Sequence, residues 1–179
     1  MRLLLDTNVL SEVTKPAPDP RVLEWLDQLD EDRSFISVVS IAEIRRGVAL
    51  MDEGRKREAL AEWLAQDLPH GFEQRVLHVD EPIALAWGDL MAQAKRRGRG
   101  LSSMDALIAA TATAKQLTLA TRNTRDFEGF AFELFDPWTA GIPFETPAIW
   151  EGCVTVYGLP SGAKGLLDRA KRNRLSSRD

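Results

Sequence analysis

The chain has 179 residues, of which 44% are hydrophobic and 28% are charged. This composition is typical of one soluble globular domain with a buried core. No apolar run approaches the roughly 20 residues that span a bilayer. The single cysteine, Cys153, has no partner for an internal disulfide. We therefore expect a cytoplasmic protein without a membrane segment.

The charge pattern along the chain is uneven. The formal net charge of −4 does not indicate a nucleic-acid-binding domain, since such domains are often strongly basic. Basic side chains nevertheless cluster, which suits an enzyme that holds a polyanion around an acidic centre, although any single cluster is better explained as a solvated surface. The basic clusters lie at 45–46, 95–99, 122–125 and 164–178.

Strand-like and helix-like segments alternate along the chain. The apolar run Leu3–Leu5 ends abruptly at Asp6, as a buried strand does. In chain order we predict a strand at 3–5, helices at 9–13 and 21–30, a strand at 35–39, a helix that opens at Ser40 and runs through Val48, a helix at 56–66, a strand at 76–79, helices at 82–97 and 102–115, and strands at 117–121 and 132–135. This alternation predicts an α/β fold with a central, mostly parallel β-sheet flanked by α-helices.

Four carboxylates fall at corresponding places in this pattern. Asp6 ends the first strand, and Glu43 lies in the first turn after the second strand. Asp105 lies in the first turn of the alanine-rich helix, and Asp126 follows the strand that ends at Thr121. The carboxyl ends of parallel strands and the starts of the following helices share one edge of a sheet. The four acids are therefore expected to meet there.

Helix capping explains each of these acids when it is taken alone. Asp6 is suited to cap the helix after it, and the others have capping-box or similar spacing. The spaced pairs are Ser40 with Glu43, Ser102 with Asp105 and, more loosely, Asn123 with Asp126.

As a group, the acids indicate a metal site. Four carboxylates at one edge repel each other unless a cation holds them, and carboxylate oxygens suit Mg²⁺ or Mn²⁺. Histidine and cysteine are missing from these segments, so zinc is poorly supported. Such a metal can drive hydrolysis of a phosphodiester bond.

The acids lie in four segments that resemble the successive blocks of PIN-domain proteins, in the same order. These segments are 4–10 (LLDTNVL), 37–47 (SVVSIAEIRRG), 104–112 (MDALIAATA) and 121–127 (TRNTRDF). The sequence is especially similar to the VapC toxins of bacterial toxin–antitoxin modules. It resembles their FitB-like branch most, because a Phe-x-Pro-Trp motif follows at 135–138. The resemblance covers residues 1–139, and it implies a PIN-like nuclease domain over that range.

The resemblance implies a Mg²⁺-dependent endoribonuclease, with Mn²⁺ as a possible substitute, that acts as a toxin on an RNA substrate. It also implies a cognate antitoxin protein that covers or enters the active site, and a homodimer. Apolar helix residues such as Leu60, Trp63 and Leu64 could serve that dimer, and internal packing explains them equally well. A catalytically weak or inactive PIN-type module that binds RNA or a partner is the alternative.

The resemblance also assigns roles to individual residues. Asp6, Glu43 and Asp105 match the three central acidic positions, and Asp126 matches a fourth, more variable one. Four polar neighbours would orient the carboxylates or metal-bound waters, although turn and cap hydrogen bonds explain them as well. These neighbours are Thr7, Asn8, Thr121 and Asn123.

Two features depart from the family pattern. Asp89 stands where relatives often have a basic or neutral residue, and an ordinary surface charge is the preferred interpretation. Residues 140–179 form a C-terminal extension whose order the sequence does not decide. Its basic residues could contact phosphates, although a solvated helix explains them better; they include Arg169, Lys171, Arg172 and Arg174.

Two other protein classes also place an aspartate after the first strand. A haloacid-dehalogenase-like phosphatase needs a second aspartate two positions later, where this chain has Asn8. A receiver-like domain needs a lysine after a late strand, where this chain has Arg122. Both alternatives therefore match poorly.

Overall fold

The computed structural model describes residues 1–140, and their centre is a five-stranded, all-parallel sheet in the order β3-β2-β1-β4-β5. The strands are short, with two to four residues each. They are β1 (Leu3–Leu5), β2 (Ser34–Ser37), β3 (Val76–Leu77), β4 (Thr118–Ala120) and β5 (Leu134–Phe135). The predicted α/β fold with a mostly parallel, helix-flanked sheet is confirmed.

Helices connect successive strands, as parallel pairing requires. They are α1 (Thr7–Glu12), α2 (Pro20–Asp27), α3 (Val38–Ala49), α4 (Arg55–Glu62), α5 (Leu68–Phe72), α6 (Glu81–Arg96) and α7 (Ser103–Lys115). Short 3₁₀ helices occupy Glu31–Arg33, Glu73–Arg75 and Thr124–Phe127. Within residues 1–140, no helix combines the length and the apolar character needed to cross a membrane.

The two faces of the sheet bury separate apolar clusters. Successive side chains of a strand point to opposite faces, so Leu3 and Leu5 pack with one cluster and Leu4 with the other. The first cluster includes Trp63 and Leu64, which are 7% and 6% exposed. Internal packing therefore accounts for these apolar residues, which the sequence left open between the core and a dimer.

The second strand ends earlier than predicted. Its register pairs Leu5 of β1 with Ile36, and β1 ends there, so the pairing of Ser37 is with β3. Helix α3 begins at Val38, and the hydroxyl of Ser37 accepts the backbone N–H of Val39 at 3.1 Å. The prediction that Ser40 opens the helix was wrong. The β-branched pair at 38–39 has high strand propensity, but no partner strand extends beside it.

The fourth predicted helix is longer than expected and contains a π-helical segment. After α4, the backbone continues through a π turn at Trp63–Asp67 into α5. The N–H of Leu68 bonds to the carbonyl of Trp63, five residues earlier. Pro69 lies in the first turn of α5, where its missing N–H costs no helical hydrogen bond, so the helical path continues beyond residue 66.

The division of the chain at residue 139 stays a prediction. Residues 141–179, with the basic residues predicted to contact phosphates, lie outside the described part of the chain.

Candidate active site

Asp6 stands directly after β1, the central strand of the sheet. Its backbone N–H bonds to the carbonyl of Ala120 in the neighbouring strand at 3.0 Å. Its carboxylate caps α1 by accepting the N–H of Thr7 at 2.6 Å. The residue is only 3% exposed. The predicted capping role is therefore real, and it places a buried carboxylate at the centre of the sheet edge.

The second oxygen of Asp6 is held both from α1 and from the end of the neighbouring strand β4. Oδ2 accepts the side-chain amide of Asn8 and the hydroxyl of Thr121, each at 2.6 Å. Thr121 is fully buried and follows β4. Its oxygen also accepts the amide of Asn8 at 3.0 Å. These donors fix the orientation of the Asp6 carboxylate.

The electrostatics of Asp6 are those of a crowded acidic site. Burial raises its pKa from the usual 3.8 to about 6, against the hydrogen bonds from Thr121 and Thr7, which lower it. The negative charges of Asp105 and Glu43 add to the increase. The three acids therefore lie within electrostatic range of one another.

Glu43 reaches the site from α3. Its Oε2 accepts the hydroxyl of Thr7 at 2.6 Å, and its side chain is half-buried. Because α3 begins at Val38, Glu43 lies in the second turn of the helix. The predicted capping box with Ser40 is therefore wrong. Glu43 lies beyond the first turn, so it does not cap α3.

Asp105 is supplied by the first turn of α7. The hydroxyl of Ser102 accepts the N–H of Asp105 at 3.1 Å and donates to Oδ2 of Asp105 at 2.6 Å. The cap therefore fixes both the helix start and the carboxylate. The sequence identified Ser102 only as a cap, and its hydrogen bond to the carboxylate had no separate signal.

The chain after Thr121 turns tightly around the site. The N–H of Asn123 donates to the hydroxyl oxygen of Thr121 at 3.0 Å, and the N–H of Arg122 donates to Oδ1 of Asn8 at 3.2 Å. Asn123 takes part through its backbone, and its side chain does not cap the following 3₁₀ helix. The predicted capping role of that side chain is wrong.

Asp126 differs from the other three acids. It lies on the 3₁₀ helix Thr124–Phe127, its side chain is exposed, and its N–H bonds to the carbonyl of Asn123 at 3.1 Å. The charges that raise the pKa of Asp6 are those of Asp105 and Glu43. The structure thus brings three of the four predicted acids together, and the role of Asp126 stays a prediction. Asp89 is exposed on α6, as expected of a surface charge.

Comparison with known proteins identifies the family. The sequence model of the PIN-domain family matches residues 3–133. The chain belongs to the PIN-domain family.

Several relatives of this PIN-domain chain match it over most of their length. Toxin FitB of Neisseria gonorrhoeae is 41% identical over 136 residues, which are 76% of this chain and 98% of that protein. VapC ribonuclease Y4jK of Sinorhizobium fredii is 38% identical, over 76% of this chain and 97% of that protein.

Solved structures agree with the fold. The crystal structure of FitAcB from Neisseria gonorrhoeae superposes with a TM-score of 0.73 at 40% identity, over 77% of this chain and 99% of that chain. VapBC-5 of Mycobacterium tuberculosis, a member of the VapBC family of toxin–antitoxin systems, has a TM-score of 0.53 at 26% identity, over 75% and 97% of the two chains.

The carboxylates of this PIN domain fit a hard divalent cation by their chemistry. None of Asp6, Glu43 and Asp105 has a basic group within 4 Å among residues 1–140. Their negative charge is therefore uncompensated, and oxygen ligands of this kind suit Mg²⁺. In the same part of the chain, no three acidic, histidine or cysteine side chains are already arranged around one ion. The side chains would have to converge to hold it.

Proposed function

We propose that this PIN-domain protein is a Mg²⁺-dependent endoribonuclease, with Mn²⁺ as a substitute, that hydrolyses phosphodiester bonds of RNA. The observation that carries the proposal is the buried carboxylate of Asp6, which accepts hydrogen bonds from Thr7 of α1 and from Thr121 after β4 and lies within electrostatic range of Glu43 and Asp105. Burying a carboxylate beside two like charges is costly. A bound cation removes that cost, and the relatives named toxin and ribonuclease support the same chemistry.

The residues of the site have distinct roles under this proposal. Asp6, Glu43 and Asp105 would hold the cation, with Asp126 as a fourth ligand. When bound, it would supply an activated water and stabilise the leaving oxygen.

Polar neighbours prepare the carboxylates for that task. Thr121 and Asn8 orient Asp6, Thr7 orients Glu43, and Ser102 orients Asp105. Asn123 contributes through its backbone N–H, which fixes the hydroxyl of Thr121. Because each donor restricts one carboxylate in advance, less conformational freedom is lost when the side chains converge on a cation and substrate binds.

We further propose that the protein is a cytoplasmic toxin restrained by a cognate antitoxin. The support is its similarity to a protein named toxin and to a member of the VapBC toxin–antitoxin family. A homodimer, higher assembly with the antitoxin, and the absence of membrane association complete the proposal. Leu50 and Leu85 are 72% and 66% exposed and offer apolar surface for such assembly.

The competing proposal is an inactive PIN-type module that binds RNA or a partner. One observation favours it, namely that no three ligands already surround one ion among residues 1–140. The two proposals differ in whether the purified protein cleaves RNA and whether that cleavage needs the acids and a divalent cation.

Cleavage of a labelled RNA by purified protein separates them. The wild type should cleave in Mg²⁺ or Mn²⁺ and stop in chelator, and Asp105→Asn should lose at least about a hundredfold in rate. Asp89→Asn, an exposed acid on α6, is the matched control and should keep full activity. Metal-independent cleavage, or an active and folded Asp105→Asn variant, would contradict the mechanism. Growth arrest on expression without the antitoxin tests the toxin role.

A further inference from the structure

Arg122 is fixed beside the carboxylates by its backbone. It follows Thr121, whose hydroxyl donates to Asp6. Its own N–H donates to Asn8, which also bonds to Asp6. The main chain of Arg122 therefore has a defined position one residue from the acidic centre.

The side chain of Arg122 is oriented by an aromatic ring. Its guanidinium lies 5.7 Å from the ring centre of Trp138, which is itself buried at 7% exposure. Stacking on a buried ring holds the face of the guanidinium and leaves its N–H groups at the edge available. The residue as a whole is exposed to solvent.

The charge of Arg122 has no close acidic partner among residues 1–140, since no carboxylate there lies within 4 Å. Arg122 does interact electrostatically with Asp19, whose pKa is lowered mainly by its hydrogen bond to Arg21 and to a smaller degree by the charge of Arg122. Arg21 holds Asp19 through two side-chain hydrogen bonds, at 3.1 and 2.7 Å. Asp19 is therefore already paired.

Two other arginines near this end of the sheet, Arg97 and Arg99, are occupied. Arg99 donates to the carbonyls of Arg125 and Glu128, and Arg97 donates to the carbonyl of Gly129. These two side chains tie the loop after β4 to the end of α6. Arg97 and Arg99 of the basic cluster at 95–99 therefore have a structural role. Among residues 1–140, their guanidinium groups already bind backbone carbonyls, unlike that of Arg122.

We propose that Arg122 is a phosphate-binding residue that holds the RNA strand next to the carboxylate centre. A guanidinium forms paired, charge-assisted hydrogen bonds with two phosphate oxygens. A polyanion must approach three uncompensated carboxylates to be cleaved here, and a fixed cationic group at the rim offsets that repulsion. This inference rests on the proposed ribonuclease function and adds a substrate contact to it.

RNA binding in the absence of cleavage tests the inference. The parent is Asp105→Asn, and the probe is a short, fluorescent single-stranded RNA, titrated by anisotropy in Mg²⁺ buffer over a range of salt concentrations. Adding Arg122→Gln should weaken binding about tenfold and reduce the slope of log affinity against log salt by about 0.7. Arg122→Lys should retain the salt slope, because it keeps the charge, and lose part of the affinity.

Arg2 provides a matched control. It is exposed, and its guanidinium lies 4.9 Å from the ring centre of Phe35. It precedes β1, whereas Arg122 follows β4, and the register of these strands separates the two by five residue positions, or about 16 Å. Arg2→Gln should leave both affinity and slope unchanged.

The outcomes separate the inference from the function on which it rests. If the parent binds RNA and adding Arg122→Gln changes neither the affinity for RNA nor the salt slope, the assignment of Arg122 as a phosphate-binding residue is wrong. Equal losses in Arg2→Gln and Arg122→Gln would also overturn it, since they would indicate a general charge effect. If the wild type neither binds nor cleaves RNA, the proposed function itself fails.

Discussion

Thr121 and Asp6 are 115 positions apart in the chain, yet the hydroxyl of Thr121 donates to Oδ2 of Asp6 at 2.6 Å. The contact exists because β1 and β4 are parallel neighbours whose carboxyl ends coincide. It stabilises the charged form of a carboxylate that burial disfavours.

Replacing this hydroxyl should move the pH dependence of activity. In Thr121→Val the pKa of Asp6 should rise above about 6, because a bond that lowers it is removed. The acid limb of the pH–rate profile should shift to higher pH, and stability at pH 7.5 should fall by about 2 kcal/mol. Thr118→Val is the control, since that hydroxyl bonds to Glu133 at the other end of β4. An unchanged acid limb would show that Asp6 does not govern it.

Asp6 should make metal-free stability depend on pH in a definite direction. Its pKa is raised on folding from 3.8 to about 6, so the native state binds the proton more tightly. The stabilisation is complete below about pH 4 and is lost as pH rises through about 6, a change of up to about 3 kcal/mol.

Thermal unfolding of wild type and Asp6→Asn in chelator from pH 4 to 8 measures this change. The variant should gain relative to wild type as pH rises, whatever constant offset its altered hydrogen bonds introduce. A pH-independent difference would contradict the prediction. Added Mg²⁺ should stabilise the wild type most at pH 8, where Asp6 is charged.

Ser102 should matter for both stability and catalysis. Ser102→Ala removes the cap of α7, which should cost about 1 kcal/mol, and also frees the carboxylate of Asp105. The cleavage rate should fall more than the loss of folded protein explains. Ser103→Ala, in the next position, is the control for both thermal unfolding and cleavage, and equal effects in the two variants would contradict a role for Ser102.

Arg75 should be required for stability alone. Its guanidinium donates to the carbonyls of Glu31, Ser34 and Gly71 and lies 5.3 Å from the ring centre of Phe72. Arg75→Gln should destabilise by about 2–4 kcal/mol, because partly buried carbonyls lose a charged donor.

A surface arginine gives the comparison for Arg75. Arg33→Gln removes an exposed ion pair with Asp30 and should cost less than about 1 kcal/mol. Urea unfolding measures both variants, and the specific activity of the folded fraction should stay at the wild-type level. A similar midpoint for the two would show that the carbonyl contacts contribute little.

The sequence was most informative where one local signal sufficed. An apolar run that stops at a carboxylate predicted both β1 and the cap at Asp6, and Ser102 with Asp105 predicted the start of α7. The predicted start of α3 was too late, because residues 38–39 have a high propensity for strand. Strand β2 ends before them, since β1 does not extend far enough to pair with them. The length of β1 cannot be predicted from residues 38–39.

The alternation of strands and helices predicted that the distant acids meet at one sheet edge, whereas the roles of their polar neighbours came from the family resemblance alone. The hydroxyl of Thr7 on Glu43 and that of Thr121 on Asp6 depend on which strands and helices become neighbours. The place of Asp126 in the motif predicts a fourth ligand. Its side chain is exposed on the 3₁₀ helix, and its part in binding a cation stays a prediction.

The outermost strands of the described sheet, β3 and β5, have only two residues each. An edge strand of that length presents very few unpaired backbone groups to another chain. A strand from a second copy or from an antitoxin could therefore add little hydrogen bonding at either side. Within residues 1–140, the sheet is protected against edge-to-edge aggregation, and assembly would have to use helix faces and loops.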